Sequence, residues 1–532
     1  MFGDLNNGYF YPNPNSQNLN ILLDQKSLTL QKALERVRSK HPSKVFIFHT
    51  KRYYTYAETD DLTNGFADFL ISHSVRPGSR ICLLLPRIPE LVLAFLGGVK
   101  AGLVPVPVNY ASGRQEVKNF LLRIEPAVII VHKEYVGLLN VQLAEEQGII
   151  IIVVGGRHTD LITWRDVCFP VRQPYAVNTQ PHALAYLNLT TGSSGRPKGA
   201  TATHANIYWN TRSAVENFNI TSEDVHLCMF ASFAHPHELF ARALYTGGSL
   251  VMLEQITPKT IIKTIDTYAV SCMMGLAPMY ATMALYASGR SSHLESLRFA
   301  ESGGMYTRPD IARDFRKCFG VPILSVWGST ETTGIALANR IDNMREDGSM
   351  GQPCPHYQVR LVDEDGEEVK NYEVGELTFR GQGVVQGYDE ELPCTNCDGW
   401  YYSGDMAWKD ESGFFYFAER KSGLIKMAGL KVYPLQVENV LLSYPGVREA
   451  AVIGVPDKRK GMVPKAFLVL QEGSAFDADA LTAYCRKQLA PYMLPKQIDI
   501  VDALPKIGSG KIDKKALTSQ NVSRDSSIGM KG

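Results

Sequence analysis

The residues with the clearest chemical potential form a run of glycines and hydroxyl side chains. The run reads Leu189-Thr190-Thr191-Gly192-Ser193-Ser194-Gly195-Arg196-Pro197-Lys198-Gly199. Small residues let the backbone turn tightly, so amide groups and hydroxyls can converge on an anion to which Lys198 adds positive charge. The Walker P-loop requires Gly-Lys-Ser/Thr, whereas Lys198 lies between Pro197 and Gly199. The run is therefore either a different phosphate-binding loop or a flexible linker, for which Gly/Ser composition is common.

Four further segments carry residue types that suit a nucleotide. They are Glu301–Met305 with two glycines that admit a flat ring, Trp327–Glu331 after a predicted strand at 322–326, Asp398–Asp405, and Leu504–Ile512. Glu331 offers carboxylate oxygens of the kind that bind Mg²⁺. Asp405, which we expect in a tight turn, suits two vicinal ribose hydroxyls, and Lys511 follows a Gly-Ser-Gly turn. Each segment alone also has a structural explanation as a turn, a core aromatic or a solvated lysine.

Regular elements must position these segments, and the hydrophobic pattern predicts them. Thr55 followed by Glu58 predicts a capping box at the start of a helix. Apolar strands are predicted at 80–86, 104–108, 127–131 and 148–154, and amphipathic helices such as 91–99 alternate with them. Strands that are apolar on both faces indicate a parallel sheet covered on both sides. The sequence therefore predicts an α/β fold.

The pattern along the chain also predicts the domain organisation. Residues 1–421 are expected to form a large N-terminal domain of parallel, helix-covered sheets, with a small β-barrel-like subdomain at about 346–421. Lys421-Ser422-Gly423 marks a boundary. Residues 422–532 are expected to form a small, mobile α+β domain with strands at 450–455 and 465–470, a helix at 478–489 and a loose tail after about 517.

Composition excludes several classes of protein. With 532 residues and a net charge of +1, the chain has no basic field for nucleic acid or an anionic membrane. The nine cysteines cannot all pair, and the CxxC of Cys394 and Cys397 lacks the second ligand pair of a structural zinc site. The N-terminal stretch lacks a signal-peptide pattern, and the run Ile149–Val154 is too short for a membrane span. We therefore expect a cytoplasmic protein.

In combination and order, these segments resemble the adenylate-forming superfamily of acyl- and aryl-CoA synthetases, nonribosomal peptide adenylation domains and luciferases. The resemblance runs from about Leu30 to Lys514. Further matching segments are Gly387-Tyr388, Lys426-Met427-Ala428-Gly429, Val432-Tyr433-Pro434 with Glu438, and Glu449-Ala450-Ala451-Val452.

The resemblance implies a two-step reaction that uses ATP, Mg²⁺ and CoA. A carboxylic acid attacks the α-phosphate of ATP, releasing pyrophosphate, and the acyl-adenylate then passes its acyl group to a thiol. The protein mainly positions the reactants and neutralises charge. The leading hypothesis is an acid:CoA ligase; the alternatives are a stand-alone enzyme that loads the phosphopantetheine of a carrier protein, and a nucleotide-binding protein without activity. The last is disfavoured because Lys198, Glu331 and Lys511 are all present. A monomer or homodimer is expected.

The resemblance also implies roles for individual residues. Phosphate contacts fall to Thr190, Ser193, Ser194, Gly195 and Lys198, and adenine contacts to Gly303, Gly304, Met305 and Trp327. Gly328 is also expected to bind the nucleotide. Thr330 would touch the α-phosphate, Glu331 would bind Mg²⁺, and Asp405 with Arg420 would hold the ribose. The catalytic residues would be Lys511, Thr190 and Glu331, with Lys511 bridging the attacking carboxylate and the α-phosphate.

In this superfamily the C-terminal domain rotates between the two half-reactions. One orientation brings in the Lys511 loop; the other brings in Gly429 and Leu430, where the glycine leaves room for the pantetheine arm. Relatives usually have Asp or Lys at the pivot, which here is Ser422 followed by Gly423. A Ser-Gly pair is able to absorb the change in backbone dihedral angles.

The class of acid is only partly predictable. Relatives that activate amino acids place an Asp shortly after a Ser-Phe pair, but here Ala234 follows Ser232-Phe233, which would leave a substrate ammonium unpaired. His235 and His237 are instead similar to residues of the acyl and aryl branches, although they also fit a structural role in the core. The predicted acid pocket consists of Phe233, His235, His237, Ser302 and Gly328. Aromatic and aliphatic acids both remain open.

Overall fold

The computed structural model divides the chain into two compact units. It describes residues 29–50, 52–156, 160–172, 177–191, 197–288, 294–389, 393–457, 459–474, 476–506 and 512–519. The first unit comprises Met1–Gln358 with Phe379–Tyr401, and the second comprises Val359–Thr378 with Tyr402–Gly532. The sequence-based boundary after residue 421 stays a prediction.

Thirteen α-helices are assigned within the described residues. They are α1 Leu30–Lys40, α2 Tyr56–Ser72, α3 Pro89–Lys100, α4 Arg114–Ile124, α5 Val141–Glu146, α6 Trp164–Val167, α7 His204–Phe218, α8 Ala241–Thr246, α9 Pro258–Tyr268, α10 Ala277–Ala287, α11 Pro309–Phe319, α12 Pro434–Leu442 and α13 Ala478–Arg486. None of these described helices is both long and apolar enough to cross a membrane.

The strands follow the same chain order. They are β1 Val45–His49, β2 Arg52–Thr55, β3 Arg80–Leu84, β4 Val104–Pro107, β5 Val128–His132, β6 Ile150–Val154, β7 Ile162–Thr163, β8 Leu184–Thr191, β9 Pro197–Thr203, β10 Val225–Cys228, β11 Ser249–Val251, β12 Cys272–Gly275, β13 Phe299–Ser302, β14 Ile323–Ser329, β15 Gly334–Ala338 and β16 Ser349–Pro353. Then come β17 Tyr357–Val362, β18 Gly375–Gly381, β19 Tyr401–Lys409, β20 Phe415–Arg420, β21 Ile425–Met427, β22 Leu430–Val432, β23 Val447–Asp457, β24 Gly461–Leu470 and β25 Gln497–Ile500.

The first unit is built on two largely parallel sheets. One has the order β4-β3-β5-β6-β7 with every neighbour parallel. In the other, β1, β11, β10, β12, β13 and β14 are neighbours in parallel. The interior strands are buried on both faces, as the continuous apolar runs require. This arrangement confirms the predicted α/β fold class.

Local signals also correspond to the structure. The Thr55–Glu58 capping box is present: Thr55 Oγ1 accepts from the Glu58 amide, and the Glu58 carboxylate accepts from the Thr55 amide at 2.8 Å. One expectation was wrong, because Trp327 lies inside β14 rather than after a strand ending at 326. Pairing with the antiparallel β15 extends β14 to Ser329.

The second unit contains a small mixed sheet at its C-terminal end. The strand order is β22-β21-β24-β23, and β25 pairs in parallel with β24. Its core joins apolar residues of α12, α13 and the long β23–β24 pair, including Val437, Leu441, Val452, Leu468 and Leu481. The unit therefore has a hydrophobic core of its own, as expected for a separate α+β body.

Candidate functional site

The β8–β9 hairpin carries the glycine-rich run. Lys198 pairs with Thr190 across the antiparallel ladder, so the residues on either side of 192–196 are held by strand hydrogen bonding. Ser193, Ser194, Gly195 and the side chain of Thr190 lie outside the described residues. The structure therefore positions Lys198 on β9, opposite Thr190 of β8.

A second segment, residues 387–389, lies against β9 and fixes it. The Thr201 amide and hydroxyl both donate to the Gly387 carbonyl, at 3.1 and 2.8 Å. Asp389 accepts from the Gly199 amide at 2.9 Å and forms an ion pair of 2.7 Å with Arg123 of α4. A β-carbon at Gly199 would lie 2.9 Å from the Asp389 carboxyl carbon, so the glycine permits this close approach.

Tyr388 connects two of the predicted functional residues. Its hydroxyl donates to Glu331 Oε1 at 2.7 Å, and the Lys198 ammonium lies 5.1 Å from the centre of its ring. Burial, and then the adjacent Glu331 carboxylate, raise the pKa of the Tyr388 hydroxyl well above its ordinary value. The arrangement therefore keeps a neutral hydroxyl donor next to the carboxylate.

Glu331 lies in the turn that follows β14. Ser329 and Thr332 close this turn, since the Ser329 amide donates to Thr332 Oγ1 at 2.9 Å. The Val385 amide donates to the Glu331 carbonyl at 2.8 Å, which fixes the backbone as well. Thr330 accepts from the Thr333 amide through its carbonyl at 3.1 Å. Thr330 and Glu331 are thus presented by a constrained turn.

The predicted adenine segments lie on neighbouring parallel strands. β13 ends at Ser302, directly before Gly303 and Gly304, and pairs with β14. The Trp327 ring stacks on Phe379 with 4.2 Å between ring centres and an interplanar angle of 7°. Gly328 has no room for a side chain, because a β-carbon would lie 2.4 Å from the Gly334 carbonyl oxygen. Met305 is half-buried after the Gly303-Gly304 bend.

A cluster of buried charged side chains includes Glu301 of β13. The Arg242 guanidinium forms two ion pairs, with Nη1 lying 2.5 Å from Glu301 Oε1 and Nη2 lying 3.3 Å from Glu238 Oε2. All three side chains are almost fully buried. Burial raises the pKa of Glu301 to about 6, whereas Arg242 acts in the opposite direction. Ser302 is also fully buried, and its hydroxyl accepts from Thr307 at 2.7 Å. The structure places Ser302 in a packed region of the strand end.

The two predicted acid-pocket histidines lie close together at the start of a 3₁₀ turn. Their ring centres are 6.3 Å apart, and the hydroxyl oxygen of Tyr186 in β8 lies 2.9 Å from His237 Nδ1. Burial lowers the pKa of His235 to about 4 and that of His237 to about 3, so both rings are neutral at pH 7. Phe233 contacts Tyr110 edge to face at 5.8 Å. Phe233, His235 and His237 themselves therefore carry no negative charge that could pair with a substrate ammonium.

The second unit holds the predicted ribose residues. Asp405 and Arg420 are opposed in the β19–β20 ladder, and Arg420 Nε lies 2.7 Å from Asp405 Oδ1. The expectation of a tight turn at Asp405 was wrong, because the residue lies within β19. Gly404 before it has φ +72° and the register shifts between Met406 and Ala407, so the strand is irregular at this point.

Gly429 lies in a two-residue hairpin turn between β21 and β22. Met427 pairs with Leu430, and the central residues Ala428 and Gly429 have φ of +49° and +83°. Positive φ at both central positions defines a type I′ turn. Leu430 is half exposed. Ser422 lies in the 3₁₀ turn Lys421–Gly423, and Lys511 lies outside the described residues.

Sequence reasoning missed several residues that shape the site. Asp389, Arg123 and Arg242 act through pairs that are distant in the sequence, which no local pattern reveals. For Tyr388 the sequence shows only its place in the matching Gly387-Tyr388 segment. The sequence signal that points to this segment is the charged Asp389 directly after Gly387-Tyr388.

Comparison with known proteins identifies the family. The model of the AMP-binding enzyme family matches residues 34–389, and that of the AMP-binding enzyme C-terminal domain matches residues 436–511. The chain belongs to the AMP-binding enzyme family.

Individual relatives match over nearly the whole chain. Feruloyl-CoA synthase of Amycolatopsis sp is 33% identical, covering 89% of this chain and 95% of that protein. Long-chain-fatty-acid–CoA ligase of Bacillus subtilis is 28% identical, covering 93% and 95%. The crystal structure of the anthranilate CoA ligase AuaEII with anthranoyl-AMP is similar at a TM-score of 0.84 and 26% identity, over 94% of this chain and 98% of that chain. ATP-bound MatB from Rhodopseudomonas palustris also gives a TM-score of 0.84 at 26% identity, over 93% and 99%.

These matches confirm the predicted superfamily and the predicted fold class, including a large N-terminal and a small C-terminal domain. The roles of individual residues are not tested by them. They stay predictions, which the geometry of the described residues now constrains.

Proposed function

We propose that the protein is an ATP-dependent acid:CoA ligase that forms an acyl-adenylate and then a CoA thioester. The relatives, which are acyl- and aryl-CoA synthetases and ligases, confirm the prediction of an acid–thiol ligase. The observation that carries the proposal within this chain is the contact of Tyr388 with both Lys198 and Glu331. Through this contact, Lys198, a cation suited to phosphates, and Glu331, a carboxylate suited to a metal ion, lie next to the same tyrosine.

The Glu331 site fits Mg²⁺ held jointly by protein and nucleotide. Within the described residues, there is no group of three or more His, Cys, Asp or Glu side chains that could hold a metal ion. Mg²⁺ at phosphoryl-transfer sites is usually bound by one or two carboxylates together with substrate phosphates and water. A single carboxylate beside a phosphate-binding cation matches this type of site. Bound Mg²⁺ would neutralise phosphate charge. Lys198 would position the phosphates, and Lys511 would position the acid.

The acid site is proposed to accept a carboxylic acid without an α-ammonium group. His235 and His237 are neutral at pH 7, and Ala234 occupies the position where an acidic partner would be needed. An ammonium placed there would be desolvated without a partner, which is costly. Aryl and fatty acyl acids both satisfy this requirement. We also propose that the enzyme acts in the cytoplasm.

A thiol-consumption screen tests the function. Purified protein, ATP and Mg²⁺ are incubated with CoA and one of a panel of short, medium, long and aromatic acids. We expect acid-dependent release of AMP and pyrophosphate together with loss of free CoA thiol. If the acyl group is transferred to a phosphopantetheinylated carrier protein and CoA does not react, the acceptor is the carrier protein and not CoA. ATP binding without pyrophosphate exchange for any acid would refute the proposal.

A further inference from the structure

We propose that Tyr388 is a positioning residue that orients Glu331 toward the metal ion and Lys198 toward the nucleotide phosphates. The inference rests on the proposed function, since it takes the metal and phosphate roles of those two residues as given. It adds a residue whose side chain touches both groups and holds them in one arrangement.

The backbone of Tyr388 is fixed to the strand that carries Lys198. Ala200 and Tyr388 form an antiparallel bridge next to the strand pair of the hairpin. Gly387 accepts two hydrogen bonds from Thr201, and the Asp389 amide donates to the Gly199 carbonyl at 2.8 Å. Both neighbours of Tyr388 are therefore bonded to β9. A shift of Tyr388 relative to Lys198 would require breaking several of these bonds.

The hydroxyl of Tyr388 sets the orientation of the Glu331 carboxylate. An ionised carboxylate only accepts, so the tyrosine is the donor in the 2.7 Å contact to Oε1. The hydrogen bond to Oε1 restricts rotation of the Glu331 carboxylate. We assign Oε2 to the metal. Partners that orient a ligating carboxylate typically contribute 10–100-fold to metal affinity or activity.

The ring of Tyr388 acts on Lys198. The ammonium lies 5.1 Å from the ring centre, within the range in which a cation is attracted to an aromatic face. A flexible lysine loses conformational entropy when it binds phosphate. Contact with the ring restricts the side chain before the nucleotide arrives, so less entropy remains to be lost. The hydroxyl and the ring thus serve different partners and can be separated by substitution.

Two substitutions at Tyr388 separate these effects. Tyr388→Phe keeps the ring and removes the donor to Glu331; Tyr388→Leu removes both. Tyr53→Phe, at an exposed tyrosine on β2, is the matched control. Electron paramagnetic resonance measures Mn²⁺ binding in the presence of α,β-methylene-ATP, and calorimetry measures binding of the same analogue in EDTA. Neither readout requires an acid, CoA or turnover.

We expect Tyr388→Phe to weaken Mn²⁺ binding roughly tenfold or more, with metal-free analogue binding within twofold of wild type. Tyr388→Leu should also weaken metal-free binding, by about threefold or more. Thermal unfolding of all variants checks the fold. Mn²⁺ affinity of folded Tyr388→Phe equal to wild type overturns the positioning role of the hydroxyl. If folded Tyr388→Leu and Tyr388→Phe bind the metal-free analogue with equal affinity, the positioning role of the ring is overturned.

Glu331→Gln distinguishes failure of this inference from failure of the proposed function. If Glu331→Gln weakens Mn²⁺ binding and Tyr388→Phe does not, only the role of Tyr388 is wrong. If Glu331→Gln leaves Mn²⁺ affinity unchanged, the metal role of Glu331 in the proposed function is wrong, and this inference falls with it. In the double variant, the second substitution should add less than its single effect, because both act on one interaction.

Discussion

Asp405 and Arg420 are directly opposed in the β19–β20 ladder, and their side chains form an ion pair in which Arg420 Nε lies 2.7 Å from Asp405 Oδ1. The carboxylate is almost fully buried, whereas the guanidinium is 61% exposed. The exposed arginine therefore holds a buried carboxylate in one orientation. Such an orientation suits a carboxylate that must accept from two vicinal hydroxyls at once, as the resemblance implies for Asp405.

Replacement of Asp405 should reduce recognition of the ribose. In Asp405→Asn the carboxylate becomes an amide with one acceptor oxygen, and hydrogen bonds to a charged group contribute about 1.5–3 kcal/mol each. We expect the dissociation constant of ATP to rise roughly tenfold or more. The preference of wild type for ATP over 2′-deoxy-ATP should largely disappear, which calorimetry with both nucleotides measures.

The control for Asp405→Asn is Asp502→Asn, which removes an exposed carboxylate of the same unit. It should bind both nucleotides as wild type does. Unchanged discrimination between ATP and 2′-deoxy-ATP in folded Asp405→Asn would show that the carboxylate does not contact the ribose.

Loss of Lys511 should separate the two half-reactions. Lys511→Ala removes the positive charge that we assign to the attacking carboxylate and the α-phosphate. Removing one preorganised contact of this kind costs roughly 10²–10³ in rate. Acid-dependent ATP–pyrophosphate exchange should fall by that factor, while thioester formation from supplied acyl-adenylate and CoA should stay within a few-fold of wild type.

Lys515→Ala is the matched control, because Lys515 is an exposed lysine a few residues further along. It should leave both half-reactions unchanged. Equal losses in the two assays for Lys511→Ala would contradict a role confined to adenylation.

The sequence predicted the parallel strands well because their signal is local. The strand predicted at 104–108 is observed at Val104–Pro107, and that at 148–154 at Ile150–Val154. A short apolar run bounded by turn residues needs little further information. The helix predicted at 478–489 is observed at Ala478–Arg486, and element ends are the least predictable part of a sequence pattern.

The site was less predictable because its connections span long distances in the sequence. Arg123 pairs with Asp389, 266 residues away, and Tyr388 reaches Glu331 over 57 residues. Neither pair has a periodic signal. The wrong expectation for Asp405 has a different cause: Gly and Asp residues are typical of turns, but pairing with the next strand, β20, keeps Asp405 in a strand. The motifs located candidate residues, and tertiary pairing determined how they are held.

Stability should decrease in mild acid because buried histidines resist protonation. His204 accepts from the Leu30 amide and is 1% exposed, and burial lowers its pKa from 6.5 to about 4. The unfolded state binds this proton below about pH 6.5, so stability is present above that pH and is lost as pH falls toward 4. This histidine alone should contribute about 2 kcal/mol of the loss between pH 7 and 5.

His204→Asn tests this pH dependence, since the asparagine carbonyl can still accept from the Leu30 amide. Urea unfolding at pH 7 and pH 5 should show a smaller loss of stability for the variant than for wild type. An identical loss in both proteins would mean that His204 does not contribute to the acid sensitivity.

Gly429 and Gly473 allow the predicted pantetheine contact to be separated from backbone strain. Both glycines have positive φ, +83° and +78°, and an added β-carbon at either would have no atom within 4 Å. A leucine should therefore strain the backbone similarly at the two positions, at a cost of about 1 kcal/mol. Only at Gly429 do we expect the side chain to occupy space that the pantetheine arm requires.

Gly429→Leu should consequently lower the rate of thioester formation from supplied acyl-adenylate by roughly 10²-fold, as for a misplaced reactant. ATP–pyrophosphate exchange should remain within a few-fold of wild type, because adenylation uses the Lys511 loop instead. Gly473→Leu should leave both rates unchanged at a similar cost in unfolding temperature. If exchange collapses together with thioester formation in folded Gly429→Leu, or if Gly473→Leu slows thioester formation equally, the turn at Gly429 does not form the thiol channel. The comparison thus assigns any selective loss to the channel rather than to the strained turn.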